Sequence, residues 1–135
     1  MKLKLHAVAL AALAVLAFAK APVQAQDMKA SGSYGSDEAA AKKGRSLFNA
    51  RGCMGCHTVG KGKLAGPDLA GVTARREADW LKRWLKNPDE LLGSDPVAQE
   101  MLKEYKGVKM PNMKLKDDEI EALLHYMGSV SVKEK

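Results

Sequence analysis

Two cysteines are present in the chain, and a histidine directly follows the second: Cys53-Met54-Gly55-Cys56-His57. Three chemistries compete for this spacing. A redox disulfide of the thioredoxin type sits in βαβ surroundings, and no alternating apolar run here supports a strand. A structural zinc ion needs four ligands, and one Cys pair with His57 and His125 matches zinc spacing poorly. The third chemistry is covalent haem attachment, the usual sense of C-x-x-C-H. On a helical turn Cys53 and Cys56, at i and i+3, share a face, so both sulfurs can reach the vinyl groups of one porphyrin. His57 follows, four residues from Cys53, where its imidazole can rise to the iron.

A low-spin electron-transfer haem needs a second strong axial ligand. Met28 lies in a Gly/Ser-rich leader and Met54 inside the motif itself. Met101 and Met127 fall on helical apolar stripes, where a methionine packs as core. Met110 and Met113 lie in the loop from Gly107 to Lys116. Pro111 stiffens the backbone and biases Met110 towards an extended conformation, which favours Met110 as the ligand with Met113 beside it. Alternatively both simply cover the edge of the group. His125 sits off the centre of its stripe and reads as a surface or half-buried side chain. A His57/His125 pair would give a lower potential than His/Met.

The elements that must position these groups read as helices. Asp37 to Ala50 places Ala40, Gly44, Leu47 and Phe48 along one face. Arg51-Gly52 ends it just ahead of the cysteines. A loop from about Thr58 to Val72 is broken by Gly60, Gly62, Gly66, Pro67 and Gly71. Glu77 to Lys86 carries a stripe of Trp80, Leu81, Trp84 and Leu85 and stops at Asn87-Pro88. Asp95-Pro96 starts a helix by capping and by proline at the first helical position, with Val97, Met101, Leu102 and Tyr105 on its apolar face. Gly107 ends it. Asp117 to Met127 is the last helix, buried through Ile120, Leu123, Leu124 and Met127, with Asp117, Asp118 and Glu119 at its positive end. The fold class is all-α, with four or so short helices and long loops.

The chain has 135 residues, which suggests one domain, and only seven Phe, Trp and Tyr. So thin an aromatic supply leaves room for a large flat cofactor in the core. Residues 1–25 have a basic start (Lys2, Lys4), a 13-residue apolar run from Ala7 to Ala19, and Val23-Gln24-Ala25 as a cleavage site. This is the layout of a secretory signal peptide, too short for a membrane span. Residues 26–36 read as a flexible leader, 37–130 as the domain and 131–135 as a tail. Periplasmic or secreted placement follows, without stable membrane insertion once the signal is removed. The whole chain carries 22 Lys+Arg and 16 Asp+Glu, a net +6. Three of those basic residues belong to the signal, which leaves +3. Two ionised haem propionates would bring the holoprotein to about +1. A charge this modest disfavours nucleic acid as partner. Gly60-Lys61-Gly62-Lys63 lacks the spacing of a phosphate loop.

From about Asp37 to Val130 the residues resemble a class I monohaem cytochrome c. Gly44 and Phe48 ahead of the motif are similar to that family's first helix, with Tyr126 as aromatic partner from the last helix. Gly66-Pro67-Asp68-Leu69 resembles the loop whose proline carbonyl accepts a hydrogen bond from the ligating histidine. Met110-Pro111, leading to Asp117-Asp118-Glu119-Ile120, is similar to the axial-methionine loop and supports Met110 over Met113. The resemblance implies one haem c bound through Cys53 and Cys56, iron held by His57 and Met110, and Pro67 beside the cofactor. Arg75, Arg76, Trp80 and Trp84 occupy the stretch where relatives place propionate donors. The span from Asn87 to Lys109 exceeds that of the smallest members, and its helix near 95–106 has no role in the family pattern. The implied function is a one-electron carrier between respiratory redox partners rather than an enzyme. The alternatives are a haem c subunit of a larger oxidoreductase complex and a gas-binding sensor; a peroxidase would need a distal acid–base group that is not apparent. Lys61, Lys63, Lys106, Lys109, Lys114 and Lys116 would form a basic ring for protein partners with acidic docking faces. A monomer is expected.

Overall fold

The computed structural model describes residues 34–130. The expected signal peptide, residues 26–33 of the expected leader and the tail lie outside the described residues. Within them the chain is helical and contains no strand. Helix α1 spans Glu38–Ala50, and the Asp37 carboxylate accepts the Ala40 N–H at 2.9 Å as its cap. A single 3-10 turn follows at Cys53–Gly55. Then come α2 (Val72–Arg75), α3 (Ala78–Lys86), α4 (Pro88–Ser94), α5 (Pro96–Glu104) and α6 (Asp117–Ser129).

The four expected helices are those of nine residues or more. Two short ones were not foreseen. Asn87 does end α3, yet Pro88 begins α4 at once. Proline at the first helical position lacks only a donor that would be orphaned anyway, so the same residue stops one helix and starts another. Helix α2 is a single turn, too short to show a period.

Helices α1 and α6 cross at Gly44. A Cβ there would come within 1.9 Å of the Ala122 carbonyl oxygen, so only glycine permits this approach. The buried face of α1 is Ala41, Gly44 and Phe48, with Ala40 and Leu47 on its flank rather than at its centre. Phe48 meets Tyr126 edge-on, with ring centroids 5.6 Å apart. Around this crossing Phe48, Val72, Leu81, Leu115, Ile120, Leu123, Leu124 and Met127 form one core. Burying a side chain of that size stabilises by about 1.5–3 kcal/mol.

Three ion pairs tie the start of α6 to its neighbours: Lys43–Asp118 at 2.8 Å, Lys86–Asp117 at 2.6 Å and Lys82–Glu121 at 2.6 Å. All are exposed, so each contributes about 0–1 kcal/mol. Glu119 is more sheltered. It accepts the Lys116 N–H at 2.9 Å and pairs with Arg51, linking the end of α1 to the start of α6. The Lys116 N–H, and then the Arg51 side chain, hold its carboxyl below the usual range.

The domain begins before Asp37. The Tyr34 hydroxyl donates to Glu121 at 3.1 Å, and its ring stands edge-on to His125 at 5.1 Å. Gly35 packs against Gly128, where a Cβ would meet backbone at 2.5 Å. The expectation that residues 34–36 belong to a leader that cannot pack is therefore corrected. The Gly/Ser-rich composition that suggested flexibility supplies the small residue this contact needs.

Candidate functional site

Gly52, in the left-handed region at φ +72°, ends α1 and turns the chain into the 3-10 turn. The N–H groups of Cys56 and His57 both donate to the Cys53 carbonyl, at 3.2 and 2.9 Å. This compact turn sets Cys53, Cys56 and His57 along one wall of the same cavity. Both thiols are free, Cys53 half-buried and Cys56 exposed. Burial pushes the Cys53 thiol above its ordinary range.

His57 is fixed from behind. Its Nδ1 lies 3.0 Å from the Pro67 carbonyl oxygen, to which it donates. That bond leaves Nε2 as the basic nitrogen, available to a metal. Gly66 lies flat against the ring, where a Cβ would come within 2.6 Å of Cε1. The loop carrying Gly66 and Pro67 is organised by Asp68, a residue whose structural role the sequence did not disclose. Its carboxylate accepts the Gly60 and Ala70 N–H groups, each at 2.8 Å, and the Gly62 N–H. Desolvation acts to raise its pKa. The Ala70, Gly60 and Gly62 donors with the Thr58 hydroxyl outweigh that and bring it down to about 2. The Gly66 N–H closes the loop onto the Cys56 carbonyl at 2.7 Å.

The cavity holds about 600 Å³ and is mostly apolar, within the range of cofactor sites. Phe48, Leu81 and Leu123 come from the core side, and Met101 and Leu102 from α5 with Tyr105 at its C-cap. The apolar face of α5 is thus divided: Ala98 is fully buried, while the larger residues face the cavity. Lys63 holds the end of α5 against the loop after the motif, pairing with Glu104 at 2.8 Å and lying 4.3 Å from the Tyr105 ring centroid.

Met110 and Met113 both line the cavity from the far loop. Lys106 and Lys114, on either side of them, hold positive φ angles of 54° and 52°. The Met110 sulfur accepts the Trp84 indole N–H at 3.2 Å, whereas Met113 packs on the core cluster. Met54 is 58% exposed and points away from the cavity wall. His125 is also outside it; its Nδ1 accepts from the Gly35 N–H at 3.4 Å.

All four expected propionate donors reach the cavity lining, with different commitments. Arg75 is spent on the chain, donating to the Ala70 carbonyl and to the Asp68 carbonyl at 3.2 Å. Trp84 is engaged by Met110. Arg76 lies over the Trp80 ring, 5.6 Å from its centroid. The Trp80 indole N–H is buried without an acceptor at hydrogen-bond distance. Asp95 is near enough to respond to it, although the Ala98 N–H is the larger cause of that carboxyl's lowered pKa. A buried donor left unpaired beside an apolar cavity suits a group that brings its own carboxylate. Two free thiols, an imidazole with one nitrogen committed and a thioether across the cavity complete a donor set that fits a haem.

A family model described as Cytochrome c matches residues 41–131. Among solved structures, a cytochrome c from Rhodothermus marinus is 33% identical, covers 67% of this chain and 76% of its own, and superposes with a TM-score of 0.63. The cytochrome c domain of the pp3183 protein from Pseudomonas putida is 45% identical over 62% of this chain and 83% of its own, with a TM-score of 0.56. Cytochrome c oxidase subunit 2 of Alkalihalophilus pseudofirmus is 34% identical over 99 residues, or 72% of this chain. The chain spans only 28% of that relative's length.

Proposed function

The chain belongs to the cytochrome c family, whose members bind haem c covalently and transfer electrons, and from that premise we propose a one-electron carrier ligated by His57 and Met110 and working outside the cytoplasm. When bound, the haem supplies an iron that changes between ferrous and ferric states. Cys53 and Cys56 would anchor it, and His57 and Met110 would fill both axial positions, which leaves no open coordination site for a substrate. The protein's own part is to hold the imidazole, to exclude water with an apolar wall and to present one thioether.

The observation carrying this reading is the His57–Pro67 hydrogen bond at 3.0 Å. It holds the imidazole from behind and leaves Nε2 uncommitted, which supports His57 as a ligand, and such a bond increases donor strength. The ferric protein is expected to show a far-red sulfur-to-iron charge-transfer band. That band should vanish in Met110→Ala and persist in Met113→Ala; persistence in Met110→Ala would overturn the assignment. Ready carbon monoxide binding to the untreated ferrous protein would favour a gas-binding sensor instead.

A second reading has one observation behind it. The oxidase subunit 2 relative contains a stretch similar to this domain, so the chain would act as the haem c component of an oxidoreductase complex. Co-purification with a membrane oxidase, against migration as a free monomer, separates the two.

A further inference from the structure

Two methionines three residues apart line the same cavity from one loop, and a thioether carries no charge to distinguish them. Two contacts distinguish them in the structure: Met113 packs on the core cluster, and Met110 receives a hydrogen bond. The Trp84 indole nitrogen lies 3.2 Å from the Met110 sulfur, and Met113 receives no such donor among the described residues. We propose that Trp84 is the positioning residue that makes Met110, rather than Met113, the axial ligand. The proposal rests on the His57/Met110 reading above.

The geometry supports a fixed donor rather than a passing contact. Trp84 stands on α3, in a nine-residue helix whose buried face carries Leu81. Its ring is stacked on Trp80, with centroids 5.4 Å apart and planes 6° from parallel. An indole held flat on a second indole has little rotamer freedom, so its N–H keeps one direction. The loop it points to is tied on its other side, where the Asn112 amide donates to Asn87 Oδ1 at 3.2 Å and accepts the Lys114 N–H at 3.0 Å, so the indole bond is the one that acts on the Met110 end. A thioether sulfur has two lone pairs. The indole engages one and leaves the other for a metal. An indole is a donor only, so it attracts a sulfur and never competes as a ligand. Trp84 therefore acts through Met110 and touches no reacting atom itself.

The test uses the haem-loaded protein and reads the methyl resonance of the ligated methionine in the ferrous state by NMR. Wild type should give one such signal, and that resonance should be lost in Met110→Ala. Trp84→Phe keeps an aromatic ring on Trp80 and removes the donor. It should give two signals, or one assigned to Met113, and adding Met113→Leu should restore a single Met110 signal. Imidazole, competing for the methionine position, should bind Trp84→Phe about tenfold more tightly, the lower end of what outer-shell losses cost. One unaltered signal with unchanged imidazole affinity in Trp84→Phe overturns the proposal while sparing the ligand reading. A methionine signal unchanged from wild type in Met110→Ala, or one that survives in Met110→Ala combined with Met113→Leu, overturns both. If Trp84→Phe yields no holoprotein, the wild type decides: a nuclear Overhauser contact from the Trp84 indole proton to the ligated methyl supports the proposal, and its absence overturns it.

Discussion

The residue with the most leverage on the site is not a ligand. Asp68 holds three backbone N–H groups of one loop, and that loop delivers the Pro67 carbonyl to His57. Its folded pKa is about 2, against an ordinary 3.8. A carboxyl whose pKa falls on folding stabilises the native state fully above its unfolded pKa. That contribution declines as pH drops from near 4 towards 2. Thermal melts of the holoprotein between pH 5 and 2 should therefore lose stability more steeply in wild type than in Asp68→Ala. Equal pH slopes would count against the loop-organising role. The sequence showed Gly66-Pro67-Asp68 as a motif and, through family resemblance, gave Pro67 its partner. It could not show that Asp68 gathers Gly60, Gly62 and Ala70, because those contacts depend on the path of a glycine-rich loop with no period to read.

At the scale of elements, legibility followed length and side-chain size. The α1 and α6 stripes and the Asp95-Pro96 cap were readable because they repeat or carry a defined chemical signal. Helix α4 escaped because Pro88 serves as stop and start, and the buried seat of α5 escaped because Ala98 is too small to mark a stripe. Packing of Tyr34 and Gly35 on α6 was hidden for the same reason: small residues signal looseness in sequence and close approach in structure. Gly44 is the sharpest case. Gly44→Ala places a methyl into the Ala122 carbonyl and should destabilise the protein by about 3 kcal/mol, the upper end of overpacking costs. Chemical denaturation would measure this, and a loss below about 0.5 kcal/mol would mean that the helices slide apart freely. By contrast, removing Lys43 from its exposed pair should cost little.

On the scale of the molecule, the structure redistributes the expected basic ring. Lys63 is neutralised by Glu104. The acidic start of α6 is in turn paired with lysines of α1 and α3. Lys61, Lys106, Lys109, Lys114 and Lys116 make no ion pair among the described residues, and Lys109 lies at the cavity lining beside exposed Val108. An encounter surface built this way works on association rate and weakens with salt. Electron-transfer rates with an acidic redox partner should fall as ionic strength rises, and Lys109→Glu should lower the low-salt rate while Lys63→Glu has a smaller effect. Rates indifferent to salt would remove the docking role. No helix among the described residues is long and apolar enough to cross a membrane.

The crossing of α1 with α6 also has a consequence in time. The two partners lie at opposite ends of the described chain, with Cys53 and Cys56 following the first. During synthesis the thiols therefore appear roughly 70 residues before α6 is complete, about 4–14 s at ordinary rates. Through that interval the core cannot close, and Cys53 has not yet acquired the burial that raises its thiol pKa and withdraws its nucleophilic form. The late arrival of α6 thus leaves a period in which the Cys53 sulfur is as accessible as that of Cys56, which stays exposed in the folded domain.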